Sequence, residues 1–140
     1  MTTHERILKL VLRIIGTVAL TAVVAVVMPY SCMNAVHQWL GLGWLPVEPI
    51  VGYLARSTSA FYAMLGGLMW VISFDVRRHR PVLCYLGAAT AFFGIALLGV
   101  DIVERLPLHW ILFEGPFNIA LGMYILVAGR HVKYDRKQHA

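Results

Sequence analysis

The sequence predicts an all-α polytopic membrane protein: a four transmembrane helix bundle with a short outer interfacial helix between the first and second spans. Composition is the first reason. Of the 140 residues, 59% are hydrophobic and only 14% charged, with a mean hydropathy of +0.71, too apolar for an ordinary soluble domain. The second reason is where the basic residues fall. Ten of the twelve Lys and Arg form three clusters at alternate ends of four long apolar segments: Arg6, Lys9 and Arg13; Arg77, Arg78 and Arg80; and Arg130, Lys133, Arg136 and Lys137. The two intervening connections, Tyr30 to Pro49 and Glu104 to His109, hold only Arg105. Basic residues beside span ends are retained on the cytoplasmic side, so both termini and the middle loop are expected inside.

The same clustering explains the formal net charge of +5 without nucleic acid. No basic stripe interleaved with aromatics is present, and positive charge crowded against apolar spans suits orientation and anionic lipid headgroups. The partner predicted by composition is the lipid bilayer. Four spans of about 20 residues use most of the chain, so a single transmembrane domain over residues 1–140 is expected.

The first span is expected from about Ile7 to Pro29. Thr2 and Glu5 have the spacing of a capping box, so the helix can begin before the membrane, with Lys9 and Arg13 snorkelling to the headgroups. A basic start followed by an apolar run also resembles a signal peptide. No small-residue cleavage pattern follows Val27, and Pro29-Tyr30-Ser31-Cys32 has Pro where a lipoprotein signal wants a small aliphatic residue, so an uncleaved span is expected.

After Pro29, Asn34, His37 and Gln38 share one helical face while Met33, Val36 and Leu40 share another, which suits a short interfacial helix ended by Gly41 and Gly43. Trp39 and Trp44 belong at headgroup depth. Pro49 fits the first position of a second span, about Ile50 to Phe74. Pro81 opens the third, which ends near Val103 after about 23 residues, or roughly 35 Å of helix.

The fourth span needs a longer start than its clean apolar run. Pro116 to Gly129 would give only about 21 Å against a hydrocarbon core of about 30 Å. His109 to Phe113 must therefore also be helical or dip into the membrane, making the span about 109–129 with Gly115-Pro116 as a kink.

Small residues indicate how the spans pack. Ala55, Ser59, Ala63 and Gly67 recur every four residues as one expected shallow ridge; the third span adds Gly87, Ala91, Gly94 and Ala96, and the fourth adds Gly122. Such surfaces allow close backbone approach where lipid supplies no hydrophobic drive, either within the bundle or between copies. Trp44 to Pro49 and Trp110 to Pro116 each read Trp, three residues, Glu, then Pro, which raises an internal duplication as an alternative to coincidence.

The candidate ligand or ion-pair cluster is Arg56, Asp101, Glu114 and Asn118. Arg56 lies about 9 Å inside the second span and needs a partner. Asp101 and Glu114 are the candidates; Glu114, Asn118 and Gly122 are spaced by four and share a face, and Asp101 can alternatively satisfy Arg105 four residues on. The cluster is either a buried ion pair fixing helix register or a polar pocket for a proton, ion or small ligand.

His37, Glu48 and His109 are secondary candidates on the outer side. None has the spacing that presents two metal ligands on one helix face, so neither metal nor cofactor is predicted. Cys32 and Cys84 belong to opposite sides and cannot meet the roughly 7 Å limit for a disulfide. No nucleophile-elbow, phosphate-loop or C-x-x-C motif points to catalysis.

Trp39-Leu40-Gly41-Leu42-Gly43, Tyr53-Leu54-Ala55-Arg56-Ser57 and Glu114-Gly115-Pro116-Phe117, with the order of the segments, resemble features of small four-span bacterial membrane proteins, including DoxX-like ones. The resemblance implies a four-helix bundle in the bacterial cytoplasmic (inner) membrane and carries over no catalytic residue. The functional expectation is a non-catalytic structural or accessory subunit, as a homo-oligomer or within a larger membrane complex. The alternatives are a carrier or channel using the charged cluster and, third, an enzyme of lipid or quinone chemistry.

Overall fold

Each of the four long apolar stretches folds as helix. The computed structural model describes residues 2–132, and over these the chain is all-α, without a strand. The elements are α1 (Thr3–Thr21), α2 (Val23–Val27), α3 (Tyr30–Trp39), α4 (Pro49–Phe74), α5 (Arg80–Val103) and α6 (Leu108–His131). Four segments, Thr3–Val27, α4, α5 and α6, are long and apolar enough to cross a membrane. Their outward surfaces agree: Val18, Phe61, Phe92 and Phe113 are among many large apolar side chains left exposed, as suits helices solvated by lipid. Of the last basic cluster, Lys133, Arg136 and Lys137 lie outside the described residues.

The break between α1 and α2 was not legible as a breaker residue. The hydroxyl of Thr21 donates to the carbonyl of Val18 at 2.6 Å, and the Ala22 amide turns to Ala19 at 3.1 Å. A Thr side chain thus competes for a helical acceptor and tightens the turn. Pro116, by contrast, sits inside a continuous α6, so residues 109–113 are helical as the length argument requires.

The chain divides into two compact units. One contains the chain up to Val11 and from Ile72 onward; the other is Leu12–Val71. In the first, the expected capping box forms: the Glu5 amide donates to Thr2 Oγ1, and the Thr2 amide donates to Glu5 Oε2. Arg77 grips the same Glu5 through Nε at 2.8 Å and Nη2 at 2.9 Å, a bidentate pair. Glu5 is only 2% exposed, so this charge is desolvated and compensated at once. Other basic residues close helix ends. Lys9 Nζ donates to Phe74 O at the end of α4, and Arg80 Nη2 to Arg130 O near the end of α6, where carbonyls lack intrahelical donors. Residues of the basic clusters therefore also close helix ends.

Within that unit α5 and α6 are joined by a short connection and meet along a seam of glycines. A Cβ added at Gly94 would stand 2.6 Å from Ile119 N and 2.8 Å from Gly115 O, and one at Gly122 would fall on the backbone of Ala91. Only small residues permit such an approach.

In the second unit α1 meets α4 through Gly16 and Gly66: a Cβ on Gly66 would stand 2.6 Å from Gly16 O and 2.8 Å from Leu20 N. Beside them Trp70 Nε1 donates to Thr17 Oγ1 at 3.1 Å, and the Arg13 guanidinium lies 5.2 Å from the Trp70 ring centroid. Gly67, which the four-residue ridge selects, is the wrong glycine: a Cβ there meets nothing within 4 Å among the described residues.

Candidate functional site

The seam between α5 and α6 positions the acidic candidates. Gly87, Ala91, Gly94, Leu98 and Asp101 step along α5 by four, three, four and three residues, the spacing of one helical stripe. Gly87 and Gly122 oppose each other, Gly94 opposes Gly115 and Ile119, and Leu98 abuts Gly115. One turn further along this stripe, Asp101 is carried toward the first turns of α6. Asp101 is 2% exposed, and its Oδ2 has no hydrogen-bond partner among the described residues.

Glu114 occupies those first turns of α6 and is half-buried. Its Oε2 accepts a hydrogen bond from Trp110 Nε1, one helical turn earlier. Asn118 is drawn to the same place, with Nδ2 donating to the Glu114 carbonyl at 2.9 Å. The structure thus brings Glu114 and Asn118 together and adds Trp110, which sequence reasoning assigned only to a repeat. Its spacing of four from Glu114 was the available signal.

The alternative pairing of Asp101 with Arg105 requires α5 to run on for another turn, and it does not. Val103 is its last residue, and Arg105 has φ 55°. The Leu106 amide bonds to Asp101 O and the Arg105 amide to Ile102 O, the double closure of a Schellman motif. Arg105 therefore stands in the left-handed position usually given to glycine, off the helical path that would return it to Asp101.

Arg56 belongs to the other unit. Its Nη2 donates to Met28 O at 3.1 Å, and its Nη1 lies over Gly52, 3.2 Å from where a Cβ would be. Met28 closes α2, so the guanidinium satisfies a terminal helix carbonyl. Sequence reasoning required a partner for Arg56 and considered only carboxylates; a backbone oxygen supplies one.

Of the secondary candidates, Glu48 and His109 are exposed and His37 is half-buried. His37 Nδ1 is 2.9 Å from Gly43 O, Asn34 Oδ1 accepts the Leu45 amide at 2.8 Å, and the Tyr30 hydroxyl donates to Leu45 O. The polar face of α3 thus pins the loop that follows it. Gly41 at φ 76° and Gly43 at φ 83° supply the turns that allow this. Glu48 lies in the exposed approach to α4 and His109 in the exposed first turn of α6. Cys32 and Cys84 are free thiols. No group of three or more potential metal-ligating side chains occurs among the described residues.

The two Trp-to-Glu segments differ locally. Trp110 to Glu114 is helical, whereas Trp44 to Glu48 is an irregular loop with Trp44 78% exposed. Pro46 lies inside the first segment and disfavours helix in the residue before it, while the second has no proline until Pro116. Shared letters therefore do not produce a shared local structure. No family model, curated protein or solved structure matches the chain.

Proposed function

We propose that the protein is a non-catalytic structural or accessory subunit of the bacterial inner membrane, with both termini and the loop between α4 and α5 in the cytoplasm. The observation that supports this reading is the use of polar side chains in and beside the spans to complete helices. Lys9, Arg56 and Arg80 each donate to a carbonyl near a helix end, and Arg77 holds the Glu5 cap. A scaffold built this way presents apolar helix faces to lipid and to neighbouring helices, so its role is assembly, with itself or with a larger membrane complex.

Two measurements test the reading. In right-side-out vesicles a membrane-impermeant maleimide should label Cys32 and spare Cys84; the reverse pattern would invert the topology. Extracted from native membrane in mild detergent, the chain should run as an assembly of fixed mass. Migration solely as a monomer, with wild-type assembly of the other membrane complexes in a deletion strain, would overturn the accessory role. The second reading, a carrier or channel, is favoured by the buried Asp101 carboxyl, whose Oδ2 has no hydrogen-bond partner among the described residues.

A further inference from the structure

We propose that Arg6, Arg78 and Arg130 form a binding surface for the phosphate headgroups of anionic phospholipids, at the end of the first unit that bears the basic clusters. The proposal rests on the membrane-spanning reading, and neither on the accessory role nor on which way the chain faces. The structure sorts the basic residues of this end into two groups. Arg77 is engaged by Glu5, Lys9 Nζ by Phe74 O and Arg80 Nη2 by Arg130 O. Arg6, Arg78 and Arg130 are exposed, and their guanidinium groups have no hydrogen bond or ion pair among the described residues.

The contacts of the engaged residues bring the free ones to one end. Arg6 follows Glu5, which Arg77 holds at 2.8 Å; Arg78 follows Arg77; and the Arg130 carbonyl accepts from Arg80 at 3.0 Å. The turn that carries Arg78 is itself anchored. Asp75 Oδ1 accepts the amides of Arg77 and Arg78, each at 3.1 Å, Asp75 O accepts the His79 amide at 3.2 Å, and Val76 is only 2% exposed. A cation on a fixed backbone loses less freedom on meeting a ligand than one that must first be ordered.

Charge complementarity identifies the ligand. At this end the described residues of the unit carry six Lys and Arg against the carboxylates of Glu5 and Asp75, one of which is held by Arg77 and the other by turn amides. At the opposite end they carry Asp101, Glu104 and Glu114 against Arg105. A guanidinium presents a fork of N–H donors that meets a phosphate bidentately. Ile7, Leu10, Val82 and Val127, all exposed within about a turn of these helix ends, offer apolar surface for acyl chains. A soluble phosphate would gain the guanidinium contacts alone, and a zwitterionic lipid brings an ammonium that offsets its phosphate. An anionic phospholipid satisfies both surfaces.

The test is native mass spectrometry of the full chain in neutral detergent, titrated with dioctanoyl phosphatidylglycerol or dioctanoyl phosphatidylcholine and reading the lipid bound per chain. The wild type should bind phosphatidylglycerol about a hundredfold more tightly than phosphatidylcholine. Arg6→Gln, Arg78→Gln and Arg130→Gln should each weaken phosphatidylglycerol binding about fivefold, and the triple variant should bring it level with phosphatidylcholine, whose binding stays unchanged. Arg105→Gln, at the opposite end, should leave both affinities as they are.

Equal affinity of the wild type for the two lipids overturns the proposal without reference to any variant. Displacement of phosphatidylglycerol by glycerol phosphate at equal concentration would make the ligand a soluble phosphate compound and refute the lipid. A loss on Arg105→Gln as large as that on Arg78→Gln would show that net charge, and not these three residues, sets the preference. The substituted side chains are exposed, and circular dichroism establishes that each variant is folded. The accessory role is judged separately by native mass without added lipid, so either reading can fail while the other stands.

Discussion

The α1–α4 contact and the α5–α6 hairpin both use glycine, but to different extents. In the first, Gly16 and Gly66 form one reciprocal approach, and the neighbouring turns carry the Thr17–Trp70 hydrogen bond and the Arg13 cation over the indole. In the hairpin, reciprocal approaches at Gly87 with Gly122 and at Gly94 with Gly115 extend along several turns. The lesson is that packing without a hydrophobic drive can be secured in two ways. A single glycine crossing is supplemented by polar and cation–π contacts, whereas a continuous glycine seam is held by backbone proximity itself. The seam also has a consequence the crossing lacks, because it delivers whatever side chain follows on its stripe, here Asp101, into the interface.

The largest effect should come from breaking the seam. Gly122→Leu places a side chain on the Ala91 backbone, which has nowhere to yield, and should destabilise the α5–α6 unit by about 3 kcal/mol or more. Thermal unfolding in detergent reads this, and a wild-type transition would mean the hairpin is not closed as described. Gly66→Leu should cost about 2 kcal/mol, since one crossing can splay more easily than a seam. Its neighbour Gly67→Leu should fall within roughly 0.5 kcal/mol of wild type. Equal losses at Gly66 and Gly67 would sink the assignment of the packed face.

A comparable loss is expected where charge rather than packing is removed. Arg77→Met strands the buried Glu5 carboxylate; because the Arg77 side chain is 38% exposed and water can enter, the loss should be about 2 kcal/mol, below the range for fully buried pairs. Adding Glu5→Gln should recover part of it, and an additive double-mutant cycle would argue against direct pairing. The smallest effect has the opposite sign. Arg105→Gly relieves a left-handed residue in the Schellman turn and should stabilise by about 1 kcal/mol, raising the midpoint of unfolding. A neutral or negative result would mean that the Arg105 side chain contributes to the turn.

Gly66 and Gly67 show where reading along the chain fell short. The expected ridge advanced by four residues, but a helix turns about 100° per residue. Twelve residues from Ala55 to Gly67 therefore rotate the position by about 120°, while eleven residues from Ala55 to Gly66 rotate it by only about 20°. The periodicity was present in the sequence, and the integer step of four obscured it. The relation of Glu5 to Arg77 had no such signal. Glu5 fitted its local cap and Arg77 fitted a topogenic cluster, and nothing in the sequence joins two residues 72 positions apart.

What the sequence by itself determined was everything set by length, period and local chemistry. The apolar stretches fixed the four long helices to within a few residues, Thr2 and Glu5 fixed the capping box, Gly41 fixed the end of α3, and Pro116 was placed correctly inside α6 by the length a span requires. Tertiary structure decided the partners. It gave Arg56 a carbonyl oxygen, gave Glu114 the indole of Trp110, took Arg105 off the helical path to Asp101, and buried Asp101 with an oxygen unpartnered among the described residues. The physical reason is that a helix forms from interactions spanning about four residues and its pattern is written locally. A buried polar group is satisfied by whichever donor or acceptor packing brings within about 3 Å, and backbone carbonyls, identical at every residue, leave no mark in the sequence.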